Sequence, residues 1–136
     1  MTPEQVDLVQ SSFNAMGPRA SHLVATFYEE LFERAPDLRD KFPESMQEQR
    51  TKLLQTLTYA VNGLKYPAVI IPVVEKLGVH HRAYQVDAQQ YAAVGSALLL
   101  AITKTRGDAL TAAEREAWQA CYDLLSQVMQ GAAKTH

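Results

Sequence analysis

"KLGVHHRAYQV", running from Lys76 to Val86, sets two histidines side by side, His80 and His81, half of the four in the chain. Neighbours on a helix point about 100° apart, so at most one of the pair faces a given pocket. From Pro72 onward, Val74, Leu77, His81 and Tyr84 recur at steps of three, four and three residues, an apolar stripe that turns His81 inward. His80 falls with Lys76 toward the edge of that stripe.

An inward histidine on an apolar face is either a satisfied core residue or a ligand. Sites with several protein ligands fail, because there is no His-Glu-x-x-His pair and His22, His80, His81 and His136 share no ligand spacing. Beside simple core packing, one metal reading stays open: a site with a single protein ligand. Haem is such a case, since the porphyrin supplies four nitrogens and a proximal histidine holds the iron.

Working outward, helix-start signals recur. Thr2 reads as an N-cap with Pro3 at the first helical position and Gln5 closing a capping box; Asp87 with Gln90 and Thr111 with Glu114 repeat the box. Helices are expected over about Pro3–Ala15, on through Glu33, in a short piece from Pro36 to Phe42-Pro43, and over Met46–Asn62. Two long ones follow, about Asp87–Lys104 and Thr111–Gly131, joined by "TRGDAL". "AVIIPVV" is rich in β-branched residues, but a proline is poor inside a strand and good at a helix start, so Pro72 is expected to open a helix ending near Ala83. The fold class is all-α, seven to eight helices, in one domain spanning residues 1–136.

At 136 residues, 47% hydrophobic and 21% charged, the chain has the composition of a soluble globular protein. A formal net charge of −2 argues against a nucleic-acid or membrane-surface partner. Cys121 is the single cysteine, which excludes an internal disulfide and a thiolate cluster. The N-terminal "MTPEQVDLVQSSF" lacks signal-peptide features and no apolar run approaches a membrane span, so the expected location is cytoplasmic, as a monomer or homodimer.

Several stretches together resemble a bacterial single-domain globin, similar to the haem domain of flavohaemoglobins. "FYEELFERAPDLRDKF" is similar to the family's second-helix pattern with its following proline and aromatic, and "QEQRTKLLQTL" to its distal helix. "IPVVEKLGVHHRAYQVDAQQYAAVGSALLLAI" is the most specific part, with Ile71-Pro72 before His81, Tyr84-x-Val86 after it, and Tyr91 ten residues beyond it. "AWQACYDLLSQVM" resembles the final helix. The likeness spans nearly the whole chain in order.

The resemblance implies a globin fold around haem b (iron protoporphyrin IX), with His81 as the proximal iron ligand and Leu77 packing one turn before it. It implies Phe42 stacked on the porphyrin, and Tyr28 and Gln49 as the distal polar pair with Leu53 over the iron. Val86, Val94 and Leu98 would line the slot beside Tyr84, Tyr91 would approach His81, and Lys52 would meet a propionate. Three positions depart from the family: Ala133 stands where a glutamate joins the proximal network, Gln85 replaces a glycine, and Gln90 replaces a histidine. The first departure implies weaker electron donation to the iron.

A tyrosine hydroxyl and a glutamine amide both donate, and both stabilise a ligand that takes on negative charge. The expected function is therefore binding of O2, and of NO and CO, with slow release that suits scavenging, redox chemistry or sensing better than bulk oxygen transport. Two alternatives accompany it: dioxygenation of nitric oxide to nitrate, and a haem-based ligand or redox sensor acting through a noncovalent partner. No Gly-rich flavin or dinucleotide segment occurs, so the dioxygenase reading expects a separate reductase.

Overall fold

The computed structural model describes residues 1–83 and 86–135, with side chains throughout except those of residues 82, 83 and 133–135. Among the described residues there are six α-helices and no strand: α1 (Pro3–Ala15), α2 (Ala20–Arg34), α3 (Gln47–Asn62), α4 (Pro67–Ala83), α5 (Ala88–Arg106) and α6 (Ala112–Thr135). Short 3-10 segments cover Gly17–Arg19, Pro36–Lys41 and Gly107–Ala109, and the six-residue segment from Pro36 serves as a seventh helix. The all-α expectation holds.

Local chemistry sets the starts. Thr2 and Gln5 satisfy each other's backbone N–H groups at the head of α1, and Asp87 with Gln90 does the same for α5. Thr111 and Glu114 close the third box, and Glu114 also receives the Arg106 guanidinium at 2.9 Å. Gly107, with φ +58°, ends α5 in a conformation that only glycine adopts without strain.

Two boundaries differ from expectation. The fourth helix opens at Pro67, not Pro72, and Pro72 lies inside it. Pro67 already fills the proline-tolerant start, and burial of both Ile70 and Val74 holds the added turn against the core. Pro72 withholds a hydrogen bond from the Ala68 carbonyl, but both residues face outward, where water can serve that oxygen. The last helix continues past Gly131 to Thr135, because a glycine with ordinary helical backbone does not stop a helix. No helix among the described residues is long and apolar enough to cross a membrane.

The principal packings are α4 on α6, α2 on α5, and α1 on α6. Trp118, fully buried, sits at the centre and donates its indole N–H to Ser12 Oγ at 2.9 Å across the α1–α6 contact. Ala97, Ala101 and Ala117, also fully buried, let the helices approach closely. Gly78 does the same for α4, since a Cβ there would lie 2.1 Å from the Met129 carbonyl oxygen on α6. By contrast α3 and α4 hardly pack on each other.

Candidate cofactor site

One wall comes from α2, the 3-10 segment after it, and the start of α3. Tyr28 is buried on α2 within a cluster of rings, 5.0 Å from Phe27, 5.8 Å from Phe32 and 5.6 Å from Phe42 between centroids. Gln49, in the first turn of α3, donates its amide N–H to the Tyr28 hydroxyl at 3.2 Å. The phenol thus accepts one bond, and no described residue accepts its own proton. Burial raises the Tyr28 pKa above 10, partly opposed by the Gln49 bond, so the hydroxyl stays protonated.

A second group of expected site residues stands on α4 and α5. His81 Nδ1 lies 3.3 Å from the Tyr91 hydroxyl, the two rings meeting edge to face at 6.0 Å. Nε2 has no partner among the described residues. Burial, and secondarily the charge of His80, lower the His81 pKa below 6.5, which keeps the imidazole neutral at pH 7. Tyr91 is itself fixed from behind: Tyr122 on α6 donates its hydroxyl to the Tyr91 carbonyl at 2.5 Å, its ring passing under Gly95 where a Cβ would come within 2.7 Å.

The apolar residues expected to line the slot are present as half-buried side chains. Phe42, Leu53, Val94 and Leu98 each pack one side against the core, while Leu77 and Val86 are half-buried beside His81 along the chain. The Val86 N–H bonds the His81 carbonyl at 3.2 Å. Lys52 is exposed and reaches Glu48 at 3.8 Å. Tyr84 and Gln85 lie outside the described residues, as does the side chain of Ala133. His80 is exposed and His81 turned in, the orientation read from the stripe.

These residues suit one kind of group. Among the described residues no cluster of three or more His, Cys, Asp or Glu could hold a bare metal ion. A neutral imidazole steadied at Nδ1 and open at Nε2 can bind a metal whose other ligands arrive with it. Half-exposed apolar side chains, and a phenol whose own proton no described residue accepts, are groups that fit a haem.

The sequence model of the globin family matches residues 25–129, which takes in both walls. The chain belongs to the globin family. This globin is 28% identical over 132 residues to a flavohemoprotein of Bacillus subtilis, covering 95% of the chain and 33% of that protein. It is 30% identical over 134 residues to a flavohemoprotein of Bordetella parapertussis, covering 96% and 33%. The chain therefore spans about a third of the length of the curated relatives it matches.

Among solved structures, an engineered carbene transferase made from a candidate nitric oxide dioxygenase of Rhodothermus marinus superposes with a TM-score of 0.88 at 25% identity, covering 99% of this globin and 94% of that chain. A bacterial globin from Campylobacter jejuni gives 0.85 at 22%, covering 98% and 97%. A Malassezia yamatoensis flavohemoglobin, solved with FAD and heme bound, gives 0.83 at 21%, covering 98% and 37%. The last two likenesses speak to the fold alone.

Three residues at the site carried no assigned role in the sequence reading. Phe32 touches both Tyr28 and Phe42, and its place four residues after Tyr28 on one helix was the available signal. Tyr122 acts on a backbone carbonyl thirty-one residues away, and Arg39 on three carbonyls of the chain that follows it. Neither leaves a partner residue type to read.

Proposed function

We propose that this globin binds haem b through His81 and takes up O2, NO or CO at a five-coordinate iron, with Tyr28 and Gln49 as hydrogen-bond donors on the opposite side. The observation that carries this reading is a pair of half-satisfied groups. Among the described residues His81 is engaged at Nδ1 alone, and the Tyr28 hydroxyl accepts from Gln49 while none of them accepts its own proton.

Haem, when bound, supplies an iron that changes redox state and accepts a diatomic ligand. The protein's part is orientation and charge. Tyr91 holds the ring of His81 at Nδ1, and with Nδ1–H as the donor to the Tyr91 oxygen the Nε2 lone pair is free for the iron. Phe42, Leu53, Leu77, Val94 and Leu98 offer apolar surface to the macrocycle and keep water away, with Val86 and Tyr84 at the end of the α4 wall. Lys52 pairs with a propionate at the solvent edge, a contact of little energetic weight. Tyr28 and Gln49 donate to whatever negative charge the ligand acquires, each such bond being worth about 1.5–3 kcal/mol. Release is slow as a consequence, which fits scavenging, redox chemistry or sensing.

A second reading has the same site convert NO and O2 to nitrate, each turnover drawing an electron from a reductase. The matches to flavohemoproteins and to a protein derived from a candidate nitric oxide dioxygenase favour it.

Haemin titration of the purified chain tests the main reading. Saturable binding with a Soret band is expected, and the spectrum should change or the group be lost in His81→Gly. No Soret band in the wild type, or an unaltered spectrum in His81→Gly, would remove the proximal assignment and all that depends on it.

A further inference from the structure

Between Lys41 and Gln47 the chain has no regular structure, yet it carries Phe42 and leads straight into the turn that bears Gln49. Helix α3 opens without help, since its N-cap, Met46, makes no side-chain hydrogen bond. The carbonyls of this junction are instead gathered by one side chain. Arg39 Nη1 donates to the carbonyls of Phe42 at 3.3 Å and Pro43 at 2.9 Å, and Nη2 donates to that of Glu44 at 2.8 Å. The same guanidinium lies 5.4 Å over the ring of Phe32, which in turn packs at 5.4 Å on Phe42 and 5.8 Å on Tyr28.

We infer that Arg39 is a positioning residue for the Tyr28–Gln49 pair, a role that rests on the function proposed above. Only a planar fork can serve three successive carbonyls while its face covers a ring; an ammonium has neither the reach nor the face. By closing the junction, the guanidinium fixes where α3 begins, and therefore where Gln49 stands relative to Tyr28. It also holds Phe42 against the ring cluster from its backbone side. Arg39 touches no ligand and acts through the other two residues. When its bonds are lost, the junction opens, the Gln49 amide leaves the phenol, and the donor pair works as two uncoupled groups.

Arg39→Met keeps the aliphatic stem over Phe32 and removes every donor. In the haem-loaded protein it is expected to speed O2 dissociation by roughly tenfold, the equivalent of one displaced hydrogen bond. The infrared stretch of added CO should broaden or split, as the donors take up several arrangements. In a Gln49→Leu background the same substitution should change dissociation much less, because the residue through which it acts is gone. Hydrogen exchange of the full chain, haem-free, gives an independent readout. Amides of residues 42–50 should exchange faster in Arg39→Met while those of α1 and α6 do not change.

Unaltered exchange at the junction overturns the inference whether or not haem binds, and so does an effect on O2 release that is equally large in the Gln49→Leu background. Faster exchange in a chain that takes up no haem would support the clamp and sink the function it was proposed to serve.

Discussion

Tyr28→Phe removes one oxygen atom and leaves the ring in its cage of Phe27, Phe32 and Phe42. The shape of the site is kept, so what changes is hydrogen bonding. On the proposed reading the phenol's proton, which no described residue accepts, is the donor offered to a ligand. Losing a bond of about 1.5–3 kcal/mol to a charged acceptor should speed O2 dissociation by roughly 10- to 150-fold. A second effect follows from the 3.2 Å bond that Gln49 makes to the same oxygen. Without its acceptor the amide is free to turn to the ligand, which offsets part of the loss, or to water, which adds to it.

A cycle with Gln49→Leu separates the two outcomes, and a coupling of about 0.5–3 kcal/mol is expected for residues in direct contact. The assay is stopped-flow displacement of O2 by excess CO on wild type, both single variants and the double variant. Urea midpoints should show that the fold tolerates the change, since losing one such bond costs about 1 kcal/mol. A dissociation rate within about twofold of wild type would refute the reasoning, because the threshold for even half a hydrogen bond lies above it.

Gly78→Ala should lower the unfolding free energy by about 2 kcal/mol, because overpacking against the Met129 carbonyl outweighs the gain in helix propensity. Gly131→Ala, where a Cβ meets nothing within 4 Å, should be neutral or stabilising by up to about 1 kcal/mol, and urea titrations in which both variants move the same way would contradict the packing at Gly78. Glu30 is buried between α2 and α5, with the Lys104 ammonium and the Arg34 guanidinium holding its pKa below 4.5. The unfolded chain therefore binds more protons as the pH falls through and below 4.5, and the stability Glu30 contributes is present above that value and lost beneath it. Thermal midpoints of wild type and Glu30→Gln should converge on acidification from pH 7 to 3, and a gap that stays constant would mean the carboxylate's charge does no stabilising there.

What was legible in the sequence follows the range of the interaction. The three capping boxes are contacts between residues three apart, and their partners are written side by side in the chain, so each was read and each is present. The start of α4 was misread because Pro67 and Pro72 are equally good openers locally, and only burial of Ile70 in the assembled core chooses between them. The inward turn of His81 was legible from its stripe. Its meeting with Tyr91, and that of Tyr28 with Gln49, were not: no helical period spans ten or twenty-one residues and a loop. A family resemblance supplied those pairs, and the distances now stand beside it. Arg39 and Tyr122 escaped both routes because they bond main-chain carbonyls, which every residue type presents alike.

On the proposed reading, the way the helices are braced bears on how the fold makes room for a flat group. Tyr28 stands on α2, which packs along α5, and His81 stands on α4, which packs along α6 with no side chain at Gly78 to hold it off. The helices that carry Tyr28 and His81 are thus secured by different partners, α2 by α5 and α4 by α6. Helices α3 and α4 make little contact, and several residues expected at the site are apolar yet half-exposed: Phe42, Leu53, Leu77, Val94 and Leu98. Side chains of this kind, at about 25 cal/mol for each Å² removed from water, would ordinarily draw the two helices together. On the proposed reading, the packing of α2 on α5 and of α4 on α6 opposes that collapse and leaves the apolar surface to a flat partner. On the proposed reading the haem completes the core as much as it equips the site, and binding it stabilises the folded chain by mass action. The same logic accounts for the clamp at Arg39: with little packing against α4, the start of α3 has to be fixed from its own end.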